Sequence, residues 1–312
     1  MTRSFTGGCQ HMRHRVIILA LVLALFLSAC DLSFLEPEPQ GGRETATDFL
    51  EPAAPGEAVA GNQFASLDYS NTDQGYIQVR YDGPAQRARV QIIDPEGMTY
   101  SYTLKPGSLE VLPLTGGTGH YSVTVLENAF DNIYAVACTV ELDAEVADEY
   151  LPYLYPNQYV WFTSGSKVCQ LGRDLSAISS DDLTYVQRVY EYVVENIVYD
   201  HELAADVPAD YLPDVDRTIE TGKGICLDYA SLMTALLRSQ GIPTKLVVGW
   251  SGTQYHAWSS VYLKETGWVD GAIFFDGLNW SRLDPTLAAG NRGTSVKDYV
   301  NNNDNYKERF FY

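Results

Sequence analysis

The chain has 312 residues, with 40 Asp and Glu against 21 Lys and Arg, a formal net charge of −19. That balance speaks against nucleic acid or an anionic membrane patch as a partner held by charge. Five cysteines are too few for a disulfide scaffold, so the fold must rest on a packed core.

Residues 1–30 read as a signal peptide rather than as part of the fold. Arg3, Arg13 and Arg15 precede an uninterrupted apolar run from Val16 to Leu27, and Leu27-Ser28-Ala29-Cys30 closes it with small residues. The run is too short to span a bilayer comfortably but suits a signal-peptide core. Its last four residues resemble the lipobox of bacterial lipoproteins, which implies Cys30 as the lipidation site and first mature residue. The body is then expected on the outer face of the cell membrane, held by lipid. Removing 1–30 leaves 18 basic and 40 acidic residues, a net charge of −22.

Residues 31–61 are rich in Pro, Glu, Gly and Ala with little aliphatic periodicity, the composition of a disordered tether. From 62 to 145 short alternating runs are separated by turn signals, as in an Ig-like β-sandwich. Ile77, Val79 and Tyr81 share one face, as do Val90 with Ile92, then Met98, Tyr100, Tyr102 and Leu104, then Tyr121, Val123 and Val125. Tyr134 to Leu142 closes the set and gives Cys138 a core position. Its pairing with Cys169 is not favoured. His120, after a glycine-rich turn, reads as a solvated turn residue. This part is expected to be a binding or spacer module.

The aromatic passage from Tyr150 to Phe162 is read as packing between domains. Ser180-Asp181-Asp182 then caps a helix carrying Val186, Val189, Tyr190, Val193 and Ile197 at helical spacing. His201 stands between Asp200 and Glu202, but three neighbouring residues cannot all face one ion, so a surface role is expected and no metal site.

The stretch organising the second half is Gly222-Lys223-Gly224-Ile225-Cys226-Leu227-Asp228-Tyr229-Ala230. Cys226, Ala230, Met233 and Leu237 fall on one face of a helix that Gln240-Gly241-Ile242-Pro243 stops. Cys226 therefore sits at a helix N-terminus, where unpaired N–H groups and the dipole favour a thiolate. Taken alone, such a thiol is more often an inert small hydrophobe. Downstream, Thr244–Trp250 and Tyr255–Leu263 read as strands with His256 opening the second. Gly267–Val269 and Ile273–Phe275 are expected to form a hairpin. Trp280-Ser281-Arg282-Leu283-Asp284-Pro285-Thr286 ends the sheet, and Phe310-Phe311-Tyr312 is expected as a last docking strand.

If the helix packs on this sheet, His256 faces Cys226 while Asp284 holds the far ring nitrogen. Nucleophile, base and orienting acid are the parts needed for acyl transfer through a thioester. In order, Gly224-Ile225-Cys226, Asp228-Tyr229-Ala230, Leu236-Leu237-Arg238, Gly241-Ile242-Pro243, Val248-Gly249-Trp250, His256-Ala257-Trp258 and Asp284-Pro285-Thr286 resemble the core motif of the transglutaminase-like superfamily, relatives of the papain-like cysteine peptidases. The likeness runs over roughly residues 150 to 290.

The resemblance implies an α+β fold: a transglutaminase-like domain over 150–312, its nucleophile helix packed on an antiparallel sheet, preceded by the all-β sandwich. It carries the roles of nucleophile, general base and orienting acid to Cys226, His256 and Asp284. Tyr199 and Trp161 are the side chains considered for completing the oxyanion hole. The implied activity is on amide bonds of peptides or proteins, cell-wall peptides included, with hydrolysis favoured over cross-linking and without a cofactor. The competing reading is an inactive surface binding or adhesion protein that works through its β-sandwich.

Overall fold

A computed structural model describes residues 42–269, 273–275, 280–282 and 306–312. The expected signal peptide over 1–30, with Cys30, and Asp284 lie outside them.

The alternating runs of the first half do become strands, because one face of each is apolar. β1 (Val59–Gly61), β2 (Ala65–Asp68), β3 (Tyr76–Tyr81) and β6 (Leu109–Pro113) form one antiparallel sheet in the order β1-β2-β3-β6. β4 (Ala88–Ile93), β5 (Thr99–Leu104), β7 (Gly119–Phe130) and β8 (Ile133–Ala144) form the other, in the order β5-β4-β7-β8. Ile77, Val79, Tyr81, Val90, Ile92, Tyr102, Leu104 and Val123 are buried in one continuous core.

The last strand departs from strict alternation, and one expectation for this part needs correction. The register of β7 on β8 shifts between Val125 and Leu126, where Ala137 is the extra residue. A bulge turns the strand over, so Val136 is exposed although it shares sequence parity with buried Leu142. His120 is solvated as expected but lies in β7 rather than in the turn, and its ring nitrogens meet Asp143 at 2.9 Å and Glu141 at 3.2 Å.

The expected tether is bound from Arg43 onward. The Arg43 backbone N–H donates to Ser179 O, and its guanidinium to Asp182 Oδ1 at 2.6 Å and Ser176 Oγ at 2.8 Å. Further along, the Phe49 and Phe162 rings lie 5.0 Å apart and Ala53 N–H donates to the Tyr76 hydroxyl. Composition alone missed this because the anchors are single polar or aromatic residues without a period.

The second half is helical and then β. It comprises α1 (Lys167–Ala177), α2 (Asp182–Asn196), α3 (His201–Ala205), α4 (Val215–Thr221) and α5 (Cys226–Arg238). Asp181 caps α2 through Thr184 N–H at 2.7 Å. α1, absent from the sequence reading, takes no cap from its own Ser166. Asp216 of α4 supplies one instead, accepting from the N–H groups of Lys167 and Val168 at 2.9 and 3.0 Å.

An antiparallel sheet follows in the order β13-β12-β11-β16: β11 (Thr244–Ser251), β12 (Gln254–Leu263), β13 (Gly267–Val269) and β16 (Tyr306–Phe311). β13 pairs with β12, not with 273–275 as expected. Ile273–Phe275 (β14) pairs with Trp280–Arg282 (β15) instead. The aromatic tail docks as β16, and Tyr312 beyond it reaches Tyr100, Tyr102 and Tyr159 at ring distances of 5.9, 5.8 and 4.3 Å. The fold is α+β, with a β-rich first half and helices packed on an antiparallel sheet in the second.

Candidate active site

α5 is the centre of the second half. Every residue from Asp228 to Arg238 is buried, so the helix is enclosed by its neighbours rather than lying on a surface. Tyr185 and Tyr229 cross to other elements, donating to Leu236 O and Ile197 O at 2.7 Å each. At the far end Arg238 is 1% exposed, and its guanidinium donates to the carbonyls of Thr244, Tyr155 and Tyr312.

The start of α5 is built by a short run of backbone constraints. Gly222 ends α4 in the left-handed conformation at φ 61°, as a residue without a Cβ can. β10 (Lys223–Gly224) then pairs in parallel with β9 (Val198–Tyr199), and Asp200 N–H donates to Gly224 O at 2.9 Å. Ile225 is the N-cap residue, extended at φ −94°, ψ 178°, and carries no acceptor of its own. The reciprocal half of a capping box takes over: the Asp228 carboxylate accepts Ile225 N–H at 2.8 Å. Its other oxygen accepts the Tyr211 hydroxyl at 2.7 Å. Gly224 allows this closeness, since a Cβ there would stand 2.5 Å from Asp228 Cβ.

Asp228 is 2% exposed, and burial raises its pKa although the Tyr211 and Ile225 hydrogen bonds pull the other way. Cys226 is the first helical residue and is half-buried. The other two thiols in the described residues are free as well. Cys169 is buried, donates to Thr163 O at 3.2 Å, and has its pKa pushed up to about 11 by desolvation.

His256 lies in β12, half-buried, opposite Gly249 of β11, with its ring stacked 6.3 Å from the fully buried Trp258. Gly249 is forced small from both sides: a Cβ would stand 2.1 Å from Lys307 O and 3.0 Å from the Trp258 ring.

The direction of β12 relative to α5 follows from three contacts. Ser259 Oγ donates to Ala230 O at 3.2 Å and lies 3.1 Å from Thr234 Oγ1. Arg238 reaches Thr244 O, and Thr244 is paired with Val261. Helix and strand therefore run the same way. Cys226 lies one turn before Ala230, about 6 Å along the helix, and His256 three residues before Ser259, about 10 Å along the strand. Both residues stand at the same end of the α5–β12 layer.

Asp284 lies outside the described residues. Tyr199 is in β9, paired with Gly224 at the loop that leads to Cys226. Trp161 is 44% exposed and lines a groove with the 212–217 stretch. Sequence reasoning missed Asp228 and Tyr211 as a brace. An acid at the third helical position was a signal for the first, and nothing local marks the second. Among the described residues no group of three His, Cys, Asp or Glu side chains is placed to hold a metal ion, and no helix is long and apolar enough to cross a membrane.

Residues 170–271 match the family model described as the core of the transglutaminase-like superfamily. The Bacillus subtilis (strain 168) protein YebA, described as uncharacterized, is 30% identical over 103 residues, which cover 27% of this chain and 14% of that protein. The present chain therefore aligns to about a seventh of that relative's length. A solved structure described as a candidate cysteine protease from Cytophaga hutchinsonii superposes with a TM-score of 0.40 at 14% identity, over 76% of this chain and 83% of that one. Red sea bream transglutaminase superposes with a TM-score of 0.30 at 11% identity, over 72% and 53%. The likeness to the transglutaminase-like superfamily rests on the family match, which covers residues 170–271 of this chain.

Proposed function

We propose that this chain is a thiol enzyme that hydrolyses amide bonds of peptides or proteins through Cys226, His256 and Asp284. The Cys226 thiolate attacks the carbonyl carbon, and the resulting oxyanion accepts from the Cys226 backbone N–H, left open at the helix start. Collapse breaks the C–N bond, and the protonated His256 gives its proton to the leaving amine. A water, deprotonated by His256, then attacks the thioester and releases a carboxylic acid, restoring thiolate and imidazolium. Asp284 is given the role of holding the imidazole. The chain is proposed to act outside the cell membrane, anchored through lipid on Cys30.

The observation that supports this reading best is the shared direction of α5 and β12, which sets Cys226 and His256 at one end of their layer. The test is turnover of quenched-fluorescent peptides by the intact chain and by Cys226→Ala and His256→Ala. Loss of more than about 1,000-fold in kcat/KM with each is expected. Unchanged turnover with Cys226→Ala would sink the proposal, and no turnover by the intact chain would favour a binding protein that works through its β-sandwich.

A further inference from the structure

The chemistry proposed above makes no use of the β-sandwich, yet one of its turns faces the helical half across a groove of about 520 Å³. Lys105, from the β5–β6 turn, and Leu109, at the start of β6, stand on one wall. Arg217, with the stretch leading into α4, lines it from the helical half, and Trp161 lines it from the aromatic passage between the two. The volume falls within the roughly 300–1,000 Å³ of small-ligand sites, room for a few residues of a peptide.

The chemistry of the walls is uneven. Each acid of the groove already holds a donor of the protein: Asp214 caps α4 through Arg217 N–H, Asp216 caps α1, and Glu110 accepts from Gln158 Nε2 at 2.9 Å. Lys105 and Arg217 are exposed, and their side chains make no hydrogen bond or ion pair among the described residues. The charged donors left open are thus Lys105 and Arg217. Beside them are two large apolar side chains, Trp161 at 44% and Leu109 at 43% exposure.

The groove also adjoins the nucleophile helix. Its 212–217 wall continues from Tyr211, whose hydroxyl holds Asp228 in the first turn of α5. The charge of Arg217 reaches both Tyr211 and Asp228.

We infer that this groove is a substrate subsite, with one wall supplied by the β-sandwich, that takes a peptide segment carrying a carboxylate next to an apolar residue. Lys105 and Arg217 meet the carboxylate, while Trp161 and Leu109 cover the apolar side chain. The inference rests on the amidase reading, because only that reading requires a peptide to lie beside α5.

The test measures binding by fluorescence anisotropy on the full chain carrying Cys226→Ala, which keeps any turnover out of the readout. The probes are a labelled, C-terminally amidated peptide containing Leu-Glu, its Leu-Gln and Leu-Lys twins, and the Leu-Gln peptide with a free C-terminal carboxylate. Binding of the Leu-Glu probe about ten-fold tighter than the Leu-Lys twin is expected, weakening with salt. Adding Lys105→Glu or Arg217→Glu should remove or invert that preference, and Lys105→Ser should weaken it. A thermal melt checks that each variant is folded. If the free-carboxylate Leu-Gln probe matches Leu-Glu, the carboxylate recognised is a chain terminus as readily as a side chain. Equal affinities for Leu-Glu and Leu-Lys, or a preference untouched by charge reversal, overturns the inference. Hydrolysis by the intact chain is followed separately, so loss of the amidase reading is distinguishable from loss of the subsite.

Discussion

The Tyr211 hydroxyl donates to Asp228 Oδ1 at 2.7 Å, and this single bond ties the 206–214 connection to the first turn of the helix that begins with Cys226. Removing the hydroxyl leaves a buried carboxylate one donor short. Tyr211→Phe is expected to cost about 1–3 kcal/mol in urea unfolding. If the brace also positions the nucleophile, kcat falls with it while KM holds. No loss of stability would mean that water replaces the hydroxyl.

Asp228 sets a pH dependence whose sign can be worked out. Burial raises its folded pKa above the ordinary value, so the folded state binds the proton more tightly than the unfolded one. Its contribution is fully present below the unfolded value and is lost as pH rises through the folded one. Asp228→Asn keeps an acceptor and does not titrate. The stability of wild type relative to this variant should therefore be greatest below about pH 4 and decline as pH rises above it, read from urea melts of both. A difference that grows with pH contradicts the assignment.

Gly224 is the point of closest approach between the loop and the helix it feeds. A Cβ there would stand 2.5 Å from Asp228 Cβ, and both sides of the contact are fixed by backbone hydrogen bonds. Gly224→Ala is expected to lose about 1–3 kcal/mol by thermal melt and to lower peptide turnover by displacing Cys226. Wild-type values for both would show that the loop yields freely.

Thiol reactivity should separate the cysteines. At neutral pH only about one part in 10⁴ of a thiol like Cys169, with its pKa near 11, is ionised. Brief iodoacetamide treatment followed by peptide mapping is expected to find Cys226 alkylated well before Cys169. The reverse order would argue against an activated nucleophile.

At the other end of the helix, Arg238 serves three carbonyls from three separate segments. Arg238→Met fills the space but supplies no donors, so each carbonyl bears its own desolvation cost. Destabilisation of at least about 3 kcal/mol is expected in chemical denaturation. A near-neutral result would indicate that water reaches these carbonyls.

What the sequence determined by itself is local. α5 was legible from its apolar face and its glycine-proline stop, α2 from Asp181, and β11 and β12 from their apolar runs. These signals lie within a few residues of what they specify. The tertiary structure decided everything that depends on distant partners. α1 went unread because its cap is Asp216, 49 positions along the chain. The anchoring of Arg43 went unread because its partners lie more than 130 positions away. The same holds for Tyr211 on Asp228, and for a groove whose walls come from residues 105–110 and 212–217. Cys226 and His256 were each nameable from their own segments. That they stand at one end of one layer follows from Ser259 meeting Ala230 and Thr234, a contact that exists only once α5 is packed on β12.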